Sequence, residues 1–462
     1  MKKLIIPILL ALFFTQNIFS QTYNDAALNR VISQDQESRQ GGSAMETLPV
    51  GTHLYRAEVY MANRHFPEAR EHWMKILDNY PTDPNVPKIL FGIGRSFMWE
   101  RNYEKAVFYF DKLFRDFTNT PEGRDGLNYK GASLVRWGKS KEAAEVYKQY
   151  TVMFPDGEKI DSAYLNIIDA LRETGQYDEA NLWVNKTIGR FRGTPTEVNA
   201  LHARLRMEIY RQNWKEAVKA GDDLLEIGNF KGSMAWTDEV KYLKAFSLEK
   251  AGQTAEAKII YLSIPDGPTS YYGGLATEKL ENLGLKDLAS TRSGTISPGL
   301  ARTYPVMYRT TLLKFARAKN LDPRFLLAIM MQESSFRARA KSPAAARGLL
   351  QLVFDTALKY NRTSGYPNLE PDDLYDPTTN IAIGSSYIED LKNEFGGMYE
   401  PIAVSYNGGE DNAARWLKRT NPKDKGVYAA EVGFNETKNY VFKVMSNYRV
   451  YRELYTENLV KK

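Results

Sequence analysis

Phe66-Pro67-Glu68-Ala69, Tyr177-Asp178-Glu179-Ala180 and Trp214-Lys215-Glu216-Ala217 repeat one short pattern, an aromatic followed two and three residues later by Glu and Ala. Tyr103-Glu104-Lys105-Ala106 and Lys141-Glu142-Ala143 are variants of it. Ala69, Ala106, Ala143, Ala180 and Ala217 are spaced by 37 residues each time, and Ala257 follows after 40. Equal intervals of this kind do not arise by chance. An aromatic sits 11 residues after the alanine in four units, at Tyr80, Phe117, Phe154 and Phe191, and Pro81 or Pro155 comes next in two of them. Within units the apolar residues fall at helical spacing, as in Val107, Phe110, Leu113 and Phe114. Each unit therefore predicts two antiparallel helices, with a small Ala letting them approach, an aromatic filling the gap beside it, and Pro stopping the second helix.

A fixed period of this length marks stacked helical repeats, and the pattern resembles the tetratricopeptide class, whose usual repeat is about 34 residues. The expectation is an all-α chain with a solenoid of about six such repeats over residues 21–283. Such an array offers a concave surface for glycan strands or for protein partners. The motif aromatics and alanines themselves are expected to be inter-helix core. His53, His65, His72 and His202 belong with them as scattered solenoid residues and not as metal ligands.

Composition excludes much chemistry. The 462 residues contain no Cys, which removes disulfides, thiol nucleophiles and thiolate metal sites, and all four His lie in the first half. Residues 203–462 can thus supply neither a Ser-His-Asp triad nor an HExxH zinc site; no metal and no cofactor is expected. Met1-Lys2-Lys3 followed by the apolar run Leu4 to Phe14 is too short to span a bilayer of about 30 Å and reads as a signal peptide cleaved after Ser20, which predicts an exported, periplasmic protein without a stable membrane anchor. Residues 297–462 hold 24 Lys+Arg and 18 Asp+Glu, a mild positive balance with no basic run, so nucleic acid is not an expected partner.

The period ends near residue 283. Ser290-Thr291-Arg292-Ser293-Gly294-Thr295-Ile296-Ser297-Pro298-Gly299 is rich in turn formers, so residues 284–300 are expected to be a linker and 301–462 a second domain. There Asp322-Pro323 opens a helix, with Asp as N-cap and Pro at the first position. At 100° per residue Glu333 falls within about 60° of Leu326, Ile329 and Met330 on an apolar face. A carboxyl group placed there is desolvated and its pKa rises, as a general acid requires. The competing reading is a buried Glu kept ionised by Arg337 or Arg347.

Three stretches decide between these. Gln332-Glu333-Ser334-Ser335-Phe336, Lys341-Ser342-Pro343-Ala344-Ala345-Ala346-Arg347-Gly348-Leu349-Leu350-Gln351-Leu352 and Val404-Ser405-Tyr406-Asn407-Gly408-Gly409 resemble, in order, the motifs of the soluble lytic transglycosylase catalytic domain, itself similar to goose-type lysozyme. The resemblance continues through Asp376-Pro377-Thr378-Thr379-Asn380-Ile381, Gly384 and Tyr387 to Glu436-Thr437-Lys438-Asn439-Tyr440-Val441, and covers nearly all of 300–462. It implies cleavage of the β-1,4 bond between N-acetylmuramic acid and N-acetylglucosamine in peptidoglycan, with closure of a 1,6-anhydro ring. It implies Glu333 as the single acid and base, and Ser334, Ser342, Gln351, Thr356, Tyr406, Asn407 and Glu436 as residues lining the glycan cleft. Bland roles exist for several of these: Ser342-Pro343 as a helix N-cap, Gln351 as a surface amide, and Tyr406 to Gly409 as a helix-terminal turn.

Ala345 replaces the family Gly in a loop expected to want positive φ, Leu350 replaces Met, Val353-Phe354 replaces Met-Pro, and Gly408 replaces Ala. None removes a proton donor or acceptor. The competing functions are a glycan-binding assembly scaffold and a muramidase that uses Glu333 with water.

Overall fold

The computed structural model describes residues 26–39, 45–293 and 298–462. The described residues are all-α, with only two isolated β-bridges, Lys341 with Arg347 and Tyr455 with Lys461. The stretch read as a signal peptide, residues 1–20, lies outside the described residues. No helix among the described residues is long and apolar enough to cross a membrane. Contacts divide the described residues into two compact units, one holding 175–293, 298–339 and 348–462, the other 26–39, 45–174 and 340–347.

In the unit that holds residues 45–174, the helix Ala26–Glu37 precedes three helix pairs, Val50–Ala62 with Phe66–Asn79, Val86–Trp99 with Tyr103–Asp116, and Pro121–Arg136 with Ser140–Met153, and the helix Ile160–Glu173 follows them. The other unit contains Tyr177–Arg190 and the pairs Pro195–Tyr210 with Trp214–Ile227 and Thr237–Lys250 with Thr254–Leu262. Each periodic alanine is the fourth residue of its helix, and all six are 0% exposed. A methyl group is what such a close helix crossing admits.

Tyr80, Phe117, Phe154 and Phe191 are half-buried C-caps whose N–H groups bond the carbonyls four residues back. The rings of Tyr80 and Phe117 also pack on the buried core, and Phe154 packs on Phe114 and Tyr150. Within the segment read as a linker, Lys286–Ser293 is helical and Pro298–Arg302 forms a 3-10 turn. Arg292 holds the short helix back on the repeats, its Nε donating to Thr277 Oγ1 at 2.9 Å and its Nη2 to Ile264 O at 2.6 Å.

The remaining helices pack round one segment, Pro323–Glu333. Asp322 caps it, its carboxylate accepting from Arg324 N at 2.9 Å, and Pro323 occupies the first turn. Phe325 to Met330 are each 0% exposed, so the helix is buried all round instead of showing one apolar face. Helices Arg309–Ala318, Pro377–Glu394, Tyr399–Gly408 and Asn435–Leu454 contribute to the surrounding core, for example through Leu312, Ile383, Ile402 and Val441.

Candidate functional site

Glu333 is the last residue of this central helix. Beyond the C-cap Ser334, two successive residues, Ser335 and Phe336, take positive φ of 49° and 62°, and the chain turns away sharply. Left-handed backbone costs an L-residue about 1–2 kcal/mol, and strain of this kind concentrates at functional sites. Glu333 as a residue is half-buried, while its carboxyl group is crowded by protein. Burial pushes its pKa up to about 7, against the opposing pull of a hydrogen bond from Tyr440.

Tyr440 Oη donates to Glu333 Oε1 at 2.5 Å. This replaces the ion-pair alternative. Arg337 Nε donates to Ser334 O at 3.1 Å and Arg347 Nη1 to Ala345 O at 3.0 Å, and no ion pair involves Glu333 among the described residues. Tyr440 is a site residue that sequence reasoning passed over, although it stands in the quoted stretch Glu436 to Val441.

Tyr406 completes the carboxyl's surroundings. Burial and the Glu333 charge both raise its pKa well above the ordinary phenol value. Its ring packs on Tyr387, centroids 5.3 Å apart, and Tyr387 packs on Tyr360 at 5.5 Å. The Tyr406 hydroxyl is buried and has no hydrogen-bond partner among the described residues. A buried polar atom left open in this way is rare and calls for a ligand group or water.

Asn407 is exposed at the end of helix Tyr399–Gly408 and ties two residues of the neighbouring helix together. Its Oδ1 accepts from Thr437 Oγ1 at 2.6 Å, and its side chain bonds Glu436, whose pKa is raised by burial. A Cβ on Gly408 would stand 2.9 Å from Thr437 Cγ2, so the departure from Ala opens room for this contact. Gly409, at φ +85°, ends the helix, so the helix-terminal turn is present along with the contacts.

Gln351 takes φ +46°, and its Nε2 donates to Gly348 O at 2.8 Å. The turn that carries it is built by Asn380, which is 0% exposed: its Oδ1 accepts from Leu350 N and its Nδ2 donates to Leu374 O, both at 2.8 Å. Gly348 is required there, at φ +79° with a Cβ position 2.1 Å from Leu374 O. Thr356 is half-buried on the following helix, Phe354–Tyr360, which Val353 caps.

Two expected cleft residues are held in turns. Ser334 is 1% exposed, and its hydroxyl lies within hydrogen-bond reach of Leu349 O at 2.8 Å and Met330 O at 3.1 Å, which braces the turn. Ser342 lies in the segment Ala340–Arg347 of the other unit, where its Oγ accepts from Ala346 N at 3.1 Å in a tight turn and caps no helix. In that turn Ala345 has φ +59°, so the loop keeps its left-handed residue without a glycine.

The domain is all-α and ends its central buried helix on one desolvated carboxyl group next to an open phenol, an arrangement like that of the lysozyme fold. Residues 311–428 match the family described as the transglycosylase SLT domain, and the chain carries this domain behind helical repeats. It is 29% identical over 165 residues to the soluble lytic murein transglycosylase of Salmonella typhimurium, a match covering 35% of this chain and 26% of that protein. To the protein of the same description from Escherichia coli K12 it is 30% identical over 167 residues, again 35% of this chain and 26% of the other. Membrane-bound lytic murein transglycosylase C of Salmonella arizonae is 31% identical over 160 residues, 30% of this chain and 44% of its own length. The chain thus spans about a quarter of the length of the first two relatives. Two solved structures share the fold. The lytic transglycosylase Slt of Pseudomonas aeruginosa, an inactive mutant with one Glu changed to Gln, gives a TM-score of 0.52 at 19% identity, covering 92% of this chain and 75% of that one. The 70 kDa soluble lytic transglycosylase of Escherichia coli gives 0.50 at 17%, covering 93% and 84%.

Proposed function

We propose that the chain is a periplasmic peptidoglycan lytic transglycosylase, exported by residues 1–20, with Glu333 as its single general acid and base. The observation that carries this reading is a carboxyl group poised near neutrality by burial, with one phenol donor and no carboxylate among the causes that shift it. A two-carboxylate glycosidase sets its second group about 5–10 Å away to activate water or attack the sugar; Glu436 is engaged with Asn407 instead.

Protonated Glu333 gives its proton to the glycosidic oxygen, the muramoyl C1–O bond breaks, and the N-acetylglucosamine leaves with a free 4-hydroxyl. The resulting carboxylate takes the proton of the muramoyl O6 as that oxygen bonds C1, which closes the 1,6-anhydro ring and restores the acid. No water is consumed. Tyr440 orients the carboxyl, the open Tyr406 hydroxyl bonds the sugar, and Gln351, Thr356 and Asn407 line the cleft. The repeats guide glycan strands or bind cell-wall proteins.

Digestion of purified peptidoglycan, with the products weighed, tests the reading. Anhydro ends from wild type and none from Glu333→Gln are expected. Reducing ends, one water heavier, would establish a muramidase, and glycan binding without any release would establish a scaffold.

A further inference from the structure

Helix Asn435–Leu454 works on two faces. Tyr440, Val441, Val444, Tyr448 and Tyr451 belong to the core around Glu333's helix. Lys438, Phe442, Met445 and Arg449 recur at i, i+4, i+7 and i+11, one stripe of a helix, and Lys438 stands about 200° round from Tyr440.

That second stripe meets the repeat helices of the same unit. Lys438 is 0% exposed; its Nζ donates to Glu239 Oε1 at 2.9 Å and to the carbonyls of Met234 and Ala430 at 3.2 Å each. Phe442 stacks on Tyr271, centroids 5.1 Å apart and planes at 16°. Arg449 grips both oxygens of Asp266, at 2.6 and 2.8 Å. Glu239 is itself 0% exposed, and His202 Nε2 lies 2.7 Å from its Oε1.

A buried ion pair is poor evidence for net stability, because desolvation offsets the attraction; its best-attested use is to fix register. Glu239 sits on helix Thr237–Lys250 and fixes the rotation and height of a helix whose residue two places on reaches Glu333. We propose that Glu239, a repeat residue, is a positioning residue for the reaction: through Lys438 it holds Tyr440 in hydrogen-bond register with Glu333. The inference rests on the reading of Glu333 as the acid. It makes the last repeats part of the chemistry and not only a guide for substrate.

The test uses the full chain on soluble, un-cross-linked glycan strands, with rates measured across pH. Tyr440 and Tyr406 face Glu333; His202, Tyr272 and Lys438 face Glu239, and Arg206 and Glu431 act on Lys438. Glu239→Gln is expected to lower kcat on the order of 10–100-fold with KM unchanged, as small misplacements do. It is also expected to move the alkaline limb of kcat/KM to higher pH, because the Tyr440 bond that holds Glu333 down is loosened. Arg449→Gln, on the same stripe at a side chain 22% exposed, is the milder break and moves both readouts the same way; it decides alone if the first variant does not fold. Asp222→Asn removes a purely structural ion pair between helix Trp214–Ile227 and Lys244 of helix Thr237–Lys250 and keeps the wild-type profile. An active wild type whose limb stays fixed in both Glu239→Gln and Arg449→Gln overturns the inference alone. A wild type that releases no product overturns the proposed function, and the inference with it.

Discussion

Tyr440 and Glu333 lie 107 residues apart in the chain, and the phenol of one donates to the carboxyl of the other at 2.5 Å. Burial and this bond pull the carboxyl in opposite directions, burial being the larger. The balance leaves Glu333 able both to give and to take a proton near neutral pH, the condition for one group to serve both halves of a reaction.

Removing the phenol oxygen should upset that balance in a known direction. In Tyr440→Phe burial acts unopposed, so Glu333 titrates above its present value of about 7. The alkaline limb of kcat/KM moves up, and the loss of orientation lowers kcat on the order of tenfold or more. A pH–rate profile checks both, and a limb unmoved by the substitution would refute the assignment of Tyr440.

Glu333 also makes stability depend on pH. Its folded pKa, about 7, is raised above the 4.5 of a free Glu, so the folded state binds the proton more tightly. That advantage is complete below the unfolded value and is lost as pH rises from 4.5 to 7. The shift amounts to about 3 kcal/mol at most, given 1.36 kcal/mol per unit. Glu333→Gln lacks this dependence, while Glu400, also pushed up to about 7, acts alike in both proteins and cancels. Melting at pH 5 and pH 8 should show the variant gaining on the wild type at the higher pH; a constant difference would place the proton elsewhere.

Much of this was legible in the chain. The alanine period marked the repeat helices, in each of which the alanine is fully buried, and Glu333's place on a buried helix followed from Asp322-Pro323 and the spacing of the apolar residues after it. Tyr440 was not legible as a partner, since a contact over 107 residues leaves no local pattern. The helix Lys286–Ser293 hid in a stretch of turn formers because Arg292, bonding carbonyls of another segment, holds it. The single apolar face read for Pro323–Glu333 failed for a related reason: neighbours cover the helix on every side, and Arg324 is buried with Asp322 as its partner.

Asn380 is a joint between two loops, so its loss should be local and large. In Asn380→Ala the Leu350 N–H and the Leu374 carbonyl each lose their bond inside the core. An unsatisfied buried group costs about 1–3 kcal/mol, which corresponds to roughly 5- to 150-fold faster exchange at the Leu350 amide. Hydrogen exchange across residues 348–353 reads this directly, and the turn carrying Gln351 loosens with it. Unchanged protection would mean that the turn is held by something other than Asn380.

Ala345 offers the opposite experiment, a substitution that should stabilise. It holds φ +59° in the Ser342 turn, where an L-residue carries about 1–2 kcal/mol of strain that glycine does not. Glycine in turn loses about 0.4–1 kcal/mol more backbone entropy on ordering. The two leave Ala345→Gly ahead by up to about 1.6 kcal/mol, which slows exchange of the Ala346 amide, bonded to Ser342 Oγ, by up to about 15-fold. Faster exchange in the variant would show that the methyl group, 2% exposed as the residue stands, contributes more through packing than the positive φ costs.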